Sequence, residues 1–505
     1  MRRPVLVRLV VGGFAAAALP FLVAAQAPRP AGGADVHLQL ANLLFAEGRF
    51  AEARDSYRRA VAAEDPLTSS EAGAGLVVSL LRLGDFQGAF KEATTLNQTR
   101  GEDAQITAAY GEALWASGMF EEAEAAYERS LKLDPEQARA RHGRARSLAA
   151  QGRLSEAMVE AQEALRLSPR EGEFYYTVGS IYERLNRFDE AAAAFGNYVN
   201  LLPNRDRSEK AAWARAEIRF LQSFKDRRPL DMGSQSDTRA WTVPITIQKE
   251  KVFVKGKVNG GGQDFVLDTG AERTVISRDV ARRRGVAPIT YMQSAGVGDV
   301  GLRGLQVGRI DSLEIGDLKL RNVPCLIKNP PLGDIPGREP ESFSPLALGL
   351  SMRIDYRRRQ LVMSRTFEPT TYSAELPLRM HRLAMVRGTV NGSLPATFVI
   401  DTGGEVISIS DTTAGQIQPV TPFRRIPLKV YGTSGWDKDA FLMPNVDLAF
   451  NSIRFDHIPV VVLNLRAPSA LLGFQLGGIV GHKFLSKYRV TIDLDRSVVG
   501  LESVN

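Results

Sequence analysis

The chain has 505 residues, 44% of them hydrophobic and 24% charged, with a formal net charge of +7. That length allows several domains with cores of ordinary size, and the composition is that of a globular protein. The basic residues are spread along the chain instead of massed in one block, which reads as a solvated surface and argues against a nucleic-acid partner.

Residues 1–27 have the pattern of an export signal. Arg2, Arg3 and Arg8 make a positive start, 9–23 is apolar, and Ala25-Gln26-Ala27 fits a small-x-small cleavage site. The expectation is export to the periplasm or outside the cell. The alternative is an uncleaved membrane anchor, because the apolar run is almost long enough to span, and membrane contact is expected only in that case. The one cysteine, Cys325, excludes an internal disulfide. It sits in the apolar run 323–327 and reads as a buried small hydrophobe.

Residues 35–225 repeat with a period near 34. The marker is Gly or Asn, then a large residue two positions on and Ala five on: Gly48, Gly84, Gly118, Gly152 and Asn186 begin it. The first step is 36 residues and the next three are 34. A helical pattern runs on each side of every marker. Pro135, Pro169 and Pro203 close the second helices, where proline cannot continue the hydrogen-bond ladder. These units resemble the tetratricopeptide repeat (TPR) family, best at Gly111, Leu114, Ala123, Tyr127 and Pro135 and at Gly179, Tyr182, Ala191, Phe195 and Pro203. One unit cannot bury its apolar face alone, so a stacked α-helical solenoid is expected, with 208–223 as a capping helix. The resemblance implies a protein or peptide partner on a concave face. The alternatives are a spacer, or an array that docks on its own second half.

Residues 226–239 are polar, with Pro, Gly and Ser, and read as a linker. Beyond them, short Val- and Ile-rich runs broken by Gly and Asn-Gly predict strands and tight hairpins, hence an all-β region. Two stretches of it match: 240–367 and 375–505, joined by a connector at 368–374. In each, an Asn-Gly hairpin leads into an apolar run ending in Asp-Thr-Gly, first at Asp268-Thr269-Gly270 and again at Asp401-Thr402-Gly403. About eighty residues after each comes an apolar-apolar-Gly element, at Ala347-Leu348-Gly349 and at Ile479-Val480-Gly481. The duplication suggests two lobes that each lend one carboxylate to a shared site. Two carboxylates held close share a proton and become an acid/base pair able to activate water.

These residues resemble the retropepsin-like and pepsin-like aspartic proteases, over about half of the chain. The resemblance implies a bilobal fold with Asp268 and Asp401 as the dyad. It implies Thr269 and Thr402 as hydroxyls that bond across the lobes, Gly270 and Gly403 as positions of close approach, and the two apolar-apolar-Gly elements as packed beneath the loops. It implies hydrolysis of a peptide or protein substrate by an activated water, with no cofactor and no metal. Ala271 follows the first motif where Gly404 follows the second.

A site of this kind needs flaps to exclude water. The glycine-rich 294–301, with Gly296 and Gly298, and 430–436, with Tyr431 and Gly432, stand 25 to 35 residues after their aspartates. Gly296 to Gly301 also spells a dinucleotide pattern, but no helix follows it. The five histidines are scattered, without a His-x-x-x-His pair for zinc. Two readings of function therefore stand: an exported aspartic endopeptidase, and a non-catalytic scaffold that binds proteins. Pairing of the lobes between chains is the alternative to pairing within one.

Overall fold

The computed structural model describes residues 33–63, 69–235, 240–298, 303–328, 341–417, 425–432 and 435–503. The expected signal at 1–27 and parts of both expected flaps, 299–301 and 433–434, lie outside them. The helices come first: α1 (Gly33–Ala46), α2 (Phe50–Ala62), α3 (Ser69–Arg82), α4 (Phe86–Arg100), α5 (Ala104–Ala116), α6 (Phe120–Leu133), α7 (Ala138–Ala150), α8 (Leu154–Leu167), α9 (Gly172–Arg184), α10 (Phe188–Leu201) and α11 (Glu209–Gln222). The repeat marker is a helix stop. Gly48, Gly84, Gly118, Gly152 and Asn186 all turn with φ between +57° and +78°, a left-handed conformation that glycine and asparagine adopt most readily. Ala123 and Tyr127 are fully buried, and a Cβ on Gly111 would stand 2.6 Å from the Tyr127 ring. The marker residues thus hold the two helices of a unit in close contact.

The array curls until distant units meet. Arg82 on α3 pairs with Glu173 on α9, Lys210 on α11 joins Glu173 at 3.3 Å, and Asn204 Nδ2 donates to Glu47 O at 2.9 Å. A solenoid unit ordinarily touches only its neighbours. These contacts therefore join units that are not neighbours in the array.

The second half is β. The first lobe holds β1 (Ala240–Gln248), β2 (Lys251–Val258), β3 (Gly261–Leu267), β4 (Thr274–Ser277), β5 (Pro288–Ser294), β6 (Arg303–Ile315), β7 (Leu318–Lys328), β8 (Glu341–Phe343), β9 (Ser351–Asp355) and β10 (Gln360–Ser364). The second holds β11 (Ala374–His381), β12 (Leu383–Val390), β13 (Leu394–Ile400), β14 (Ile407–Ser410), β15 (Ile426–Pro427), β16 (Val430–Gly432), β17 (Gly435–Asp437), β18 (Phe441–Phe450), β19 (Ile453–Leu463), β20 (Gly478–Val480), β21 (Tyr488–Asp493) and β22 (Val498–Ser503). Asn259-Gly260 and Asn391-Gly392 turn with all four φ positive, as two-residue hairpins require.

The lobes do not stand apart. Strands run in the order β1, β10, β9, β21, β22, β11 through one antiparallel sheet, and the β9–β21 pair (Ile354 opposite Val490) joins one lobe to the other. One apolar core, from Trp241 through Phe265, Ile354 and Phe398 to Leu501, runs through both. The described part of the expected linker is also not free: Asp231 bridges to Arg321 in β7, with an ion pair of 2.6 Å.

Of the alternatives for the array, docking on its own second half is what the structure has. Leu114, Trp115 and Phe120 share a buried cluster with Met385, Val399 and Phe474. A second cluster joins Phe188, Phe220 and Phe224 to Met292 of β5 and Val307 of β6. Polar ties flank these clusters: Thr397 Oγ1 donates to Gly118 O at 2.6 Å, Gln475 N to Ala116 O at 2.8 Å, and Arg379 pairs with Glu124 at 3.0 Å.

Candidate active site

Each Asp-Thr-Gly begins where a central strand ends. β3 lies parallel to β8 and β13 parallel to β20, and the strand after each motif returns antiparallel on the other side of that short strand. The loop between is thus clamped on both flanks. Asp268 N–H donates to Phe343 O at 2.9 Å and Asp401 N–H to Val480 O at 3.0 Å.

This register corrects one expectation. Ile479-Val480-Gly481 does lie beneath the second loop, but Ala347-Leu348-Gly349 does not lie beneath the first. Its place is taken by Ser342-Phe343-Ser344, with Ser342 opposite Val266 and Phe343 opposite Leu267. Leu346–Leu348 forms a 3-10 turn just after it. Two serines hid the strand, because the apolar-apolar-Gly pattern found its next best fit a few residues too late.

The threonines interlock. Thr269 Oγ1 donates to Ile400 O at 2.6 Å and accepts from Thr402 N–H at 3.0 Å. Thr402 Oγ1 donates to Leu267 O at 2.8 Å and accepts from Thr269 N–H at 3.1 Å. Both side chains are buried. Four hydrogen bonds with twofold symmetry therefore hold the two loops together within one chain. The glycines allow the approach: a Cβ on Gly270 would lie 2.7 Å from Asp401 Cγ, and one on Gly403 would lie 2.7 Å from Asp268 Cγ. Each carboxyl faces the glycine of the opposite loop, so the pair meets at the axis.

The surroundings of the two carboxyls differ. Asp401 Oδ1 accepts from Gly403 N–H at 2.8 Å and Gly404 N–H at 3.0 Å. Asp268 Oδ1 accepts one amide, Gly270 N–H at 3.0 Å, and its carboxyl bonds the buried Ser342 hydroxyl. Burial, and then the Asp401 charge, raise Asp268 above the ordinary carboxylate range, against the pull of Ser342 and Lys328. Burial also raises Asp401, but its two amides and a hydrogen bond from Asp268 oppose that. The proton of the pair therefore belongs to Asp268 first. Gly404 is part of this arrangement, since a Cβ there would sit 2.9 Å from Asp401 Oδ2.

The flap candidates meet each other. β5 and β6 form a hairpin whose tip carries Gly296 and Gly298. β16 and β17 form a small hairpin in which Tyr431 faces Trp436, ring centroids 5.3 Å apart. A Cβ on Gly432 would lie 2.4 Å from Val297 O, so the two tips touch. Among the described residues, no group of three or more His, Cys, Asp or Glu is arranged to hold a metal. Cys325 is buried, its thiol pushed up to about 12.

The aspartyl protease family matches residues 254–351 and 386–481, one stretch for each Asp-Thr-Gly. Tetratricopeptide repeats match 38–96, 109–169 and 160–200. The chain carries TPR repeats followed by an aspartyl-protease domain in two parts. Among curated relatives it resembles the TPR repeat-containing thioredoxin TTL4 of Arabidopsis thaliana, 33% identical over 113 residues, 22% of this chain and 16% of that one. It also resembles the inactive TPR repeat-containing thioredoxin TTL3 of the same plant, 33% identical over 91 residues, 18% of this chain and 13% of that one. The chain thus spans less than a fifth of the length of either. Among solved structures it is similar to TTC0263, a thermophilic TPR protein of Thermus thermophilus, with 21% identity over 37% of this chain and 98% of that one and a TM-score of 0.31. The Cut9-Hcn1 hetero-tetramer of the APC/C matches at 19% identity over 38% and 36%, with a TM-score of 0.33.

Two sets of functional candidates escaped the sequence reading. Ser342 was hidden as described. Arg273, five residues after Asp268, binds Glu183 and Glu217 of the helical array; no local pattern announces a pair separated by 56 to 90 residues.

Proposed function

We propose that this chain is an aspartic endopeptidase whose water-activating pair is Asp268 and Asp401. The observation that carries the reading is the reciprocal threonine interlock, which brings the two carboxyls to one axis. A bound water sits between the carboxyls. Asp401, the ionised member, takes its proton as the oxygen attacks the scissile carbonyl. Asp268, the neutral member, gives its proton to the developing oxyanion; as the C–N bond then breaks, the proton gained by Asp401 passes to the leaving nitrogen and a hydroxyl proton of the diol returns to Asp268. The flaps exclude bulk water and hold an extended peptide. The threonines and glycines serve the geometry and do not react.

The same reading has the enzyme exported, on the pattern of residues 1–27. TPR repeats generally mediate protein contacts, and here part of the array contacts its own protease half.

The test is cleavage of a peptide library by the purified chain across pH 3 to 8, beside Asp268→Asn and Asp401→Asn. Each variant is expected to lose at least about a thousandfold in kcat, since neither carboxyl works alone. Cleavage that survives in either variant would refute a shared pair. No cleavage by the parent, with folding intact, would favour the protein-binding scaffold.

A further inference from the structure

The first active-site loop is tied to the helical array by ion pairs, where the second loop meets the array's cluster only through an apolar side chain. Arg273 stands between that loop and β4. Its Nη2 donates to Glu217 Oε1 of α11 at 2.8 Å and to Glu183 Oε1 of α9 at 3.0 Å. Its guanidinium lies over the Phe220 ring at 4.7 Å, and its Nη1 is 3.6 Å from Met292 Sδ in the flap hairpin. Glu217 is fully buried, and its Oε2 has no partner among the described residues. Next to Arg273, Glu272 Oε2 accepts from Arg382 Nη2 at 2.6 Å and Nε at 3.0 Å, and the Arg382 guanidinium lies 5.9 Å from the Trp213 ring. The counterparts in the second lobe are Glu405, which is exposed, and Val406, which packs without any charge against the apolar cluster that the array shares with that lobe.

A buried carboxylate is costly unless it is paired. Two carboxylates set around one guanidinium are therefore not an incidental contact. Burial, and then the Glu217 charge, raise Glu183, and Arg273 and Arg382 oppose that. Without Arg273 the fully buried Glu217 would lose the cation it is paired with. Only four residues separate Arg273 from Asp268, and Ala271 N–H already bonds Asp268 O at 3.3 Å. A shift of Arg273 passes directly to the carboxyl.

We propose that Arg273 is a positioning residue through which the helical array, by Glu217 and Glu183, sets the first active-site loop and the flap hairpin beside it. The array is then a working part of the catalytic half and not a detachable module. This rests on the protease reading for its kinetic consequence but not for its structural one.

The experiment compares the full-length chain with Arg273→Met, Arg273→Lys and Glu217→Gln. The control is Arg387→Met, which removes the array's pair with Glu122 at a distant point on the second lobe. Two readouts are taken: kcat and KM for a peptide substrate across pH, and hydrogen exchange of the amides at 269–276. The expected result is a fall in kcat of about tenfold to a hundredfold for Arg273→Met, the loss that goes with misplacing a reacting group by about 1 Å. KM stays within about threefold, and the basic limb of the pH profile moves. Arg273→Lys recovers part of the loss, Glu217→Gln loses kcat in the same sense, and Arg387→Met keeps the parent values. Exchange at 269–276 is expected to quicken by about tenfold or more in Arg273→Met and Glu217→Gln only. Unchanged kcat with unchanged exchange overturns the proposal, as does a loss confined to KM. If Arg273→Met fails to fold, Arg273→Lys and Glu217→Gln decide. If the parent cleaves nothing, the protease reading falls and the exchange data alone decide the positioning role.

Discussion

Thr402→Val tests the interlock with almost no change of shape. Valine replaces the hydroxyl by a methyl, so packing volume is kept and two hydrogen bonds are lost. The Leu267 carbonyl loses its donor at 2.8 Å, and the Thr269 amide loses its acceptor at 3.1 Å. Both threonine side chains are buried, so water does not replace the missing partners. An unsatisfied buried polar group costs about 1–3 kcal/mol, which puts the two together at about 2–6 kcal/mol. Thr402→Ser keeps both hydrogen bonds and gives up one methyl, worth about 1 kcal/mol. The assay is urea unfolding of the full chain followed by circular dichroism, with peptide cleavage measured alongside. The expected order is parent, then serine, then valine, with valine at least about 1 kcal/mol below serine. The reasoning fails if valine matches or exceeds serine, because volume and not hydrogen bonding would then hold the loops.

Three further outcomes follow from the same geometry. Ser342→Ala removes a hydroxyl that favours the ionised form of Asp268. Its pKa then rises further, and the basic limb of kcat moves to higher pH by about one unit; a limb that stays or moves down would count against the bond. Gly404→Ala places a Cβ 2.9 Å from Asp401 Oδ2, so the carboxylate must yield by a few tenths of an ångström, and a fall in kcat of about tenfold is expected from steady-state kinetics. A chain beginning at residue 226 bares Phe474, Met385, Met292 and Val307, which the array now covers. It should aggregate, or cleave even short peptides far more slowly than the parent; a soluble fragment with the parent kcat would contradict the docking.

What the sequence disclosed depended on the range of the interaction. The repeat period was legible because its marker is a local backbone requirement, the positive φ at Gly48 and its successors. The carboxyl pair was legible because duplication wrote the same loop twice. The strand under the first loop was not, since Ser342 and Ser344 broke the apolar pattern that serves in the second lobe. Cross-lobe pairing such as Ile354 with Val490 and the Arg273–Glu217 tie join distant segments, and no periodicity records them. The concave face is a similar case. Repeat composition implies an open groove, while the Arg82–Glu173 pair joins units far apart in the chain and depends on how far the stacked units curl.

The duplication also raises a problem that the local chemistry resolves. Two identical loops on a twofold axis would give two equal carboxyls and no reason for either to be the base. Here Gly404 gives Asp401 a second amide, and Ala271 gives Asp268 none in that place. Two N–H donors stabilise a negative charge more than one amide and a hydroxyl, because the hydroxyl can also turn to accept from a protonated carboxyl. The departure at Gly404 therefore biases the proton toward Asp268 before any substrate arrives. The tie of Arg273 to the array falls on the same lobe, so the carboxyl that keeps the proton is also the one whose loop the helices hold. Asymmetry in a duplicated site is what assigns acid and base: the Gly404 amide acts on Asp401, and the Arg273 tie falls on the loop of Asp268.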